Sequence, residues 1–450
     1  MLNSAWEQIM EKPNILYIFT DQQSADAMSC AGNLELHTPG MDRLAEKGVR
    51  FERAYCSYPL CGPSRASMFT GRMPHEVGIT DNGQPIKDEF RGEELGILLS
   101  QAGYECAYGG KWHVPEISIP EGHGFNRICG FDDLNLPERC AEFLSKDRDK
   151  PFFLVASFDN PHNICEWRRQ QTLPWGNIGN PPAPEDCPPL PPNFSIAPYE
   201  AEAVRIISRE EPKIYPGANY TPEQWRRYRW AYYRLVERVD TQIGTILDAL
   251  ENNGLADNTV VIFSSDHGDL QGAHQLVQKR FLYDEAVRVP FIVKFPGKSK
   301  EGHVDRDHLV SSSLDFYATV CDCAGITPPS DIDGQSLLPL LNGEPNAWRD
   351  HVVVETQFNR KAVCRSRMVV SNRYTYSTYE WGAYREQLFR HKSDPGEMVN
   401  LAARTSYEPL VQQHREMLRD WCKRTSDNVS GHHYSHPEVP FLVPGDEYDK

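Results

Sequence analysis

The chain has 450 residues, 40% of them apolar, 11% aromatic and 24% charged, an ordinary globular make-up that excludes extended disorder and fibrous repeats. With 47 Lys and Arg against 63 Asp and Glu, the formal charge is -16; diffuse attraction to nucleic acid or to an anionic membrane is excluded, and an anionic substrate needs a local pocket of cations. No stretch approaches a membrane-spanning apolar length, and Met1 to Gln8 has no basic region followed by an apolar one, so the expected location is cytoplasmic as written, or periplasmic or secreted if a signal segment has been removed.

Asn14 to Thr20 (NILYIFT) is a short apolar run that ends in Asp21-Gln22-Gln23. It predicts a buried parallel strand with a polar tip. Helical patterning follows over 38–47, and then Leu60-Cys61-Gly62-Pro63-Ser64-Arg65 opens a helix predicted over 64–71, with Thr70-Gly71-Arg72 at its end. After a helix predicted over 92–102, a second run from Tyr104 to Tyr108 leads into Gly109-Gly110-Lys111-Trp112-His113. A helix over 137–146 precedes the third run, Pro151 to Phe158, which leads into Asp159-Asn160-Pro161-His162.

Residues 174–198 contain nine prolines, which rules out a regular helix or central strand and predicts a stiff insertion, about 165–220, walling the site. Its Trp167, Arg168, Arg169 and Trp175 are candidate sugar contacts. A long helix is predicted over 222–252. The fourth apolar run, Thr259 to Ser264, ends in Ser265-Asp266-His267-Gly268, with Lys279 thirteen residues past Asp266. A further helix is expected over 311–323.

Beyond about 345 the pattern changes to β pieces at His351 to Thr356, Ala362 to Ser371, Tyr374 to Thr378 and Glu386 to His391, with a helix near 406–424. Two domains are therefore expected: 1–345, and a smaller C-terminal α+β domain over 346–450 carrying an antiparallel sheet. Twelve scattered Cys, with no C-x-x-C, predict buried thiols in place of a disulfide scaffold or zinc ribbon. Strands alternating with helices predict an α/β fold, a large, mostly parallel sheet sandwiched by helices. Ligands bind beyond the carboxyl ends of such strands, so four polar tips are expected to converge there.

The C-x-P-S-R core at Cys61 to Arg65, its T-G-R tail, the G-K-W-H segment at Gly110 to His113, the P-H pair at Pro161-His162 and Asp394-Pro395-Gly396-Glu397-Met398-Val399-Asn400-Leu401-Ala402 together resemble the formylglycine-dependent (type I) sulfatases of the alkaline-phosphatase-like superfamily. Bacterial carbohydrate sulfatases are the most similar branch. The resemblance implies that Cys61 is converted to Cα-formylglycine by a maturation enzyme, and that a divalent metal is held by Asp21, Gln22, Cys61, Asp266 and His267. The family more often has Asp-Asp where this chain has Asp21-Gln22, and often Asn where it has His267. An oxygen-rich shell suits Ca²⁺, and the substitution of one carboxylate and a possible imidazole moves the preference towards Mn²⁺.

Carried over in the same way, Arg65 would orient the hydrated aldehyde, Lys111 and Lys279 would hold the sulfate, His113 would be the base, and His162 would protonate the leaving oxygen. Alternate positions on an extended tip would point Lys111 and His113 the same way. A hydrated aldehyde carries two hydroxyls on one carbon, so one can attack sulfur and the other can expel sulfate by C–O cleavage. The implied substrate is a sulfated saccharide derived from a glycosaminoglycan such as heparan sulfate. The acidic net charge points to short, end-bound oligosaccharides, with no nucleic-acid or membrane partner expected. A phosphonate monoester or phosphodiester hydrolase of the same superfamily, and a non-catalytic binding protein, are the alternatives.

Overall fold

The computed structural model describes residues 12–115, 120–210, 219–343, 347–359 and 363–429. Met1 to Gln8, which carried the expectation about export, Ala362, and the end of the second expected domain lie outside the described residues.

In chain order the first stretch contains β1 (Asn14–Asp21), α1 (Pro39–Lys47), β2 (Val49–Phe51), β3 (Ala54–Tyr55), α2 (Cys61–Thr70), α3 (Pro74–Val77) and α4 (Leu95–Gln101). There follow β4 (Glu105–Gly110), β5 (Asn126–Cys129), α5 (Leu136–Leu144), β6 (Phe152–Pro161), α6 (Ile164–Arg168), α7 (Glu202–Glu210) and α8 (Pro222–Asn252). Then come β7 (Thr259–Ser265), α9 (Asp284–Val287), β8 (Phe291–Lys294), β9 (His303–Asp305), β10 (Val310–Ser311), α10 (Leu314–Cys323) and α11 (Leu338–Leu341). The chain closes with β11 (His351–Asn359), β12 (Val363–Ser371), β13 (Tyr374–Tyr379), β14 (Glu386–Arg390) and α12 (Glu408–Thr425).

Eight strands form one sheet in the order β5-β4-β6-β1-β7-β8-β2-β9. The pairs from β5 through β7 are parallel, and β8 runs antiparallel to both β7 and β2. The mixed, mostly parallel sheet expected from the sequence is thus present. Along β1 the pleat alternates two cores. Leu16 and Ile18 join a cluster with Met41 of α1, Phe143 of α5 and Tyr228, Val236 and Ile243 of α8. Ile15, Tyr17 and Phe19 join another with Phe69 of α2, Leu99 of α4 and Phe316 of α10. A strand buried on both faces must be apolar at every position, which is why β1 reads as a continuous run.

The long helix α8 begins where its residues demand. Thr221 accepts from Gln224 N in a capping box, and Pro222 occupies the first turn, where its missing N–H does no harm. Its buried stripe, Trp225, Tyr228, Tyr232, Val236, Val239, Ile243, Ile246 and Leu250, steps by three and four residues and covers one face of the sheet. Asp240 accepts from Gly40 N (3.0 Å) and Met41 N (2.7 Å) and anchors the start of α1.

The predicted helices and long strands lie within a few residues of their observed bounds. β2, β8 and β9 were not anticipated: three or four residues carry too little periodicity to stand out. Nor was α7, whose buried Ala203, Val204, Ile207 and Ser208 are interleaved with charge. The proline segment has no regular helix or strand, only a 3-10 turn at Pro184–Asp186. The four C-terminal strands form the expected antiparallel sheet, β11-β12-β13-β14, with α12 packed on it through Val411, Leu418 and Trp421 against Val353, Val369 and Tyr376. No described helix is long and apolar enough to cross a membrane.

Candidate active site at the strand tips

Register gathers the site. β1 pairs with β6 so that Asp21 stands beside Pro161, and with β7 so that Thr20 stands beside Ser265; on β4, Gly110 stands beside Ser157 of β6. Asp21, Lys111, Asp159 and Asp266 therefore leave neighbouring strands at one level, all buried. Cys61, the first residue of α2, faces them from the other side. Its Sγ lies 3.0 Å from Lys279 Nζ, 3.3 Å from His267 Nε2 and 3.6 Å from Asp21 Oδ1.

Arg65, one turn into α2, lies beneath the two carboxylates. Its guanidinium donates to Asp266 Oδ2 (2.8 Å), Asp21 Oδ2 (3.0 Å), Lys111 O (2.6 Å) and Ser157 Oγ (2.9 Å). One oxygen of each carboxylate is tied down, and the other turns towards His267: Asp21 Oδ1 is 3.7 Å and Asp266 Oδ1 3.4 Å from His267 Nε2. His267 Nδ1 donates to Gly268 O at 2.9 Å, so in the neutral ring the lone pair is on Nε2, facing inwards. One atom each from Asp21, Cys61, Asp266 and His267 thus lies within 4.8 Å of the others. Two carboxylate oxygens, one imidazole nitrogen and the group at position 61 suit a divalent cation.

Gln22 stands beside this donor group. Its backbone is left-handed, φ 74°, its N–H donates to Asp266 Oδ1 at 3.1 Å, and its side-chain amide bridges Lys279 Nζ (2.9 Å, to Oε1) and Asp269 Oδ2 (2.6 Å, from Nε2). In the structure described, its amide oxygen accepts from a lysine.

Lys111 Nζ contacts Asp21 Oδ2 (2.8 Å) and Asp159 Oδ1 (3.1 Å). The strand alternation expected to align Lys111 with His113 is absent. β4 ends at Gly110, where φ is 93°, and His113 is itself left-handed at φ 65°. The chain leaves the strand at Gly110, where only glycine fits, since a Cβ there would lie 1.9 Å from Ser157 O, the carbonyl to which Lys111 N donates (3.0 Å). His113 nonetheless borders the site: its carbonyl is 3.3 Å from where a Cβ on Gly62 would stand, and its Nδ1 is buried without a hydrogen-bond partner. His162 Nδ1 lies 3.8 Å from Asp159 Oδ1. Asp21, Gln22, Cys61, Arg65, Lys111, Asp266, His267 and Lys279 thus lie around one centre, with His113 and His162 at its border.

The electrostatics follow from packing three cations against three carboxylates. Burial alone would push Asp21 up, but Lys111, Lys279, His162 and Arg65 together hold it well below the ordinary carboxylate value. Burial, with Asp21 beside it, pushes Asp266 up to about 6. Burial and Asp21 likewise oppose ionisation of Cys61, and Lys279, Lys111 and His267 outweigh them, leaving it well below the ordinary thiol value. Partial burial, together with Lys111 and Lys279, pushes His162 down to about 4, so it is neutral near pH 7.

Asp159, Ser157 and Asp269 belong to this network and were not singled out from the sequence. Asp159 could have been, as a strand-tip carboxylate next to Pro161-His162. The other two owe their place to partners far away in the chain. Asp159 also accepts from Asn163 Nδ2 (2.6 Å) and from Trp175 Nε1 (3.2 Å), which brings the proline segment to the site. Of the candidate sugar contacts, Trp175 reaches the network, Trp167 packs against the core, Arg168 is buried against Gln278, and Arg169 is exposed.

Residues 13–326 match the family model for sulfatases, and residues 272–424 match that for the C-terminal region of N-sulphoglucosamine sulphohydrolase. The chain is 32% identical to a Delta 4,5-hexuronate-2-O-sulfatase of Bacteroides thetaiotaomicron, over 95% of this chain and 92% of that protein. It is 28% identical to an N-acetylglucosamine-6-O-sulfatase of the same organism, over 93% of this chain and 88% of that one. A solved 2-O GAG sulfatase superposes with a TM-score of 0.84 at 29% identity, covering 97% of this chain and 96% of the other. A family model spanning most of the chain, and a Cys-Asp-Asp-His cluster at the place where its motif falls, lead to one assignment: this chain belongs to the sulfatase family and is a sulfate ester hydrolase.

Proposed function

We propose that the protein removes sulfate from a saccharide of glycosaminoglycan origin, using formylglycine made from Cys61 and a divalent metal at the Asp21, Cys61, Asp266 and His267 donors. The observation that carries the reading is the convergence of Lys279, His267 and Asp21 on Cys61 Sγ at 3.0, 3.3 and 3.6 Å. Residues 1–345 are the catalytic unit in this reading, and 346–450 the C-terminal one.

Formylglycine supplies a second hydroxyl on the carbon that bears the nucleophile, and a bound metal supplies charge that favours an ionised oxygen near neutral pH. The rest is done by this chain's side chains. Asp21, Asp159 and Asp266, when ionised, balance Arg65, Lys111 and Lys279, so the protein groups alone have little net charge to offer a sulfate ester. A divalent cation held by Asp21, Asp266, His267 and the group at 61 would provide the surplus, Ca²⁺ if oxygen donors dominate and Mn²⁺ if His267 Nε2 binds it. Lys111 and Lys279 hold the sulfate oxygens, His113 accepts a proton from the group at 61, and neutral His162 donates an N–H towards the leaving oxygen.

Similarity to the hexuronate 2-O-sulfatase supports a uronic acid as the sulfated ring, and similarity to the N-acetylglucosamine-6-O-sulfatase supports an amino sugar. Trp175, fixed by its indole N–H to the carboxylate that also holds Lys111, is the candidate contact for that ring.

The test has three arms. Mass spectrometry of the Cys61 peptide reads conversion to the aldehyde. Matured protein is then assayed on an aryl sulfate and an aryl phosphonate, and on defined sulfated di- and tetrasaccharides and intact polymer. Turnover of aryl phosphonate well above aryl sulfate overturns the sulfate reading. Equal rates on polymer and disaccharide overturn the end-binding one.

A further inference from the structure

The chain between Gln271 and Arg280 crosses into left-handed backbone repeatedly: φ is 46° at Gln271, 96° at Gly272, 53° at His274, 57° at Gln275, 65° at Gln278 and 78° at Arg280. Five of these six residues carry side chains, which disfavour that region, so the conformation persists only where surrounding structure over-determines it. Lys279 sits inside this run. Besides hydrogen bonds within the run itself, such as Leu270 N to Gln278 O and Gly272 N to Leu276 O, the segment between α6 and α8 holds it at His274.

Asn193, in the proline-rich stretch, accepts from His274 N (2.8 Å) through its backbone carbonyl, and its side-chain Nδ2 donates to Glu285 Oε1 (2.7 Å) and Gly396 O (3.1 Å), which fixes that carbonyl in place. A Cβ on Gly396 would lie 2.9 Å from Asn193 Cβ, so the contact is tight. Arg205 of α7 donates to His274 O at 2.6 Å, and its guanidinium is paired with Glu200, which accepts from Tyr283 OH at 3.1 Å. Tyr283 in turn stacks on the buried His274 ring at 3.9 Å and 16°. Both peptide groups of His274 are thus engaged by the inserted segment. Five residues on, Lys279 Nζ meets Cys61 and Gln22 at 3.0 and 2.9 Å.

We propose that Asn193 and Arg205 are positioning residues for the sulfatase reaction: Arg205 clamps His274 O with its guanidinium, and the Asn193 side chain anchors the backbone carbonyl that receives His274 N, so that together they hold the left-handed loop that aims Lys279 at Cys61 and the sulfate. This rests on the reading of Lys279 as a sulfate-binding group. The proline-rich insertion then sets ground-state affinity for the sulfate group itself, besides any contact with the sugar.

The experiment uses matured full-length protein, an aryl sulfate as substrate and inorganic sulfate as inhibitor. Arg205→Ala and Asn193→Ala are compared with Arg205→Lys, with Lys279→Ala, and with each clamp variant combined with Lys279→Ala. The expected result is a rise in KM and in the inhibition constant of sulfate by the same factor, between roughly 10- and 100-fold, the upper figure being the scale of a displacement of about 1 Å. Arg205→Lys restores part of it, and in the Lys279→Ala background the clamp variants add no further loss. The proposal is overturned if the variants lose only melting temperature or active fraction with KM and sulfate inhibition unchanged, or if their losses multiply with that of Lys279→Ala. Should Arg205→Ala fail to fold, Asn193→Ser and Arg205→Lys decide the question by the same constants. Absence of wild-type turnover on any sulfate ester would instead remove the catalytic reading on which the clamp depends.

Discussion

Arg65 illustrates how one side chain can prepare a metal site without being a ligand. Its guanidinium fork holds Asp21 and Asp266 by one oxygen each, so the remaining oxygens share an orientation. A lysine keeps the charge and loses the fork. Arg65→Lys is therefore expected to weaken divalent-cation binding by about 10–100-fold, the range seen when partners behind metal ligands are changed, as read by titration calorimetry on matured protein. Arg65→Ala goes further: buried Asp266 loses the cation paired with its Oδ2, while Asp21 keeps Lys111. An unfolding free energy lower by roughly 3–5 kcal/mol is expected, and chemical denaturation checks it; a loss below about 1 kcal/mol would mean that Asp266 finds another partner.

Among elements, the tip of β4 is the most sharply determined. Gly110 combines a left-handed φ of 93° with a would-be Cβ contact of 1.9 Å to Ser157 O. Gly83 has a similar φ of 83° with nothing within 4 Å. Gly110→Ala must therefore move β4 away from β6, while Gly83→Ala bears only the conformational cost of about 1 kcal/mol. The expected outcome is at least about 2 kcal/mol more destabilisation at 110 than at 83 by denaturant midpoint. A raised KM is expected at 110 alone, because Lys111 follows directly. The apolar runs of β1, β4, β6 and β7 were legible in the sequence because strands buried on both faces cannot hide their composition. β8 was not: four residues running antiparallel in a parallel neighbourhood leave no local signature, and its direction is settled by pairing with Val261 to Ser264 of β7.

At the scale of the whole molecule, α3 is joined to the C-terminal sheet by a buried ion cluster. His75 Nδ1 donates to Glu355 Oε2 of β11 (2.7 Å) and Nε2 to Thr425 O (3.1 Å), while Arg367 of β12 pairs with Asp427 (2.7 Å) and Glu355 (3.5 Å). His75, Glu355 and Asp427 also have the spacing of metal ligands. With both ring nitrogens donating and an arginine alongside, the cluster is better described as a charged clasp. Burial would push His75 down, but Glu355, followed by Asp427, overrides it and lifts the imidazole to about 9. A value raised above the ordinary 6.5 stabilises the fold fully below that pH, and the contribution fades as pH rises through about 9. The gap in unfolding free energy between wild type and His75→Gln is expected to shrink between pH 6.5 and 10, by roughly 3 kcal/mol at most. A gap independent of pH would show that His75 is held neutral.

The chemistry of this protein was written in its residue types. A thiol at the start of a Pro-Ser-Arg helix, two strand-tip carboxylates, a histidine and two lysines limit the site to a few reactions, and all but Cys61 and Lys279 lie at the end of an apolar run that the sequence displays locally. What the tertiary structure alone decided is which atoms meet. Sheet register set Asp21 beside Asp266 and let Arg65 divide their oxygens, a kink at Gly110 replaced the expected alternation of Lys111 and His113, and the amide oxygen of Gln22 went to Lys279. Those choices depend on partners brought together from distant parts of the chain, and hydrogen-bond geometry over such separations is imposed by packing, which no local pattern records.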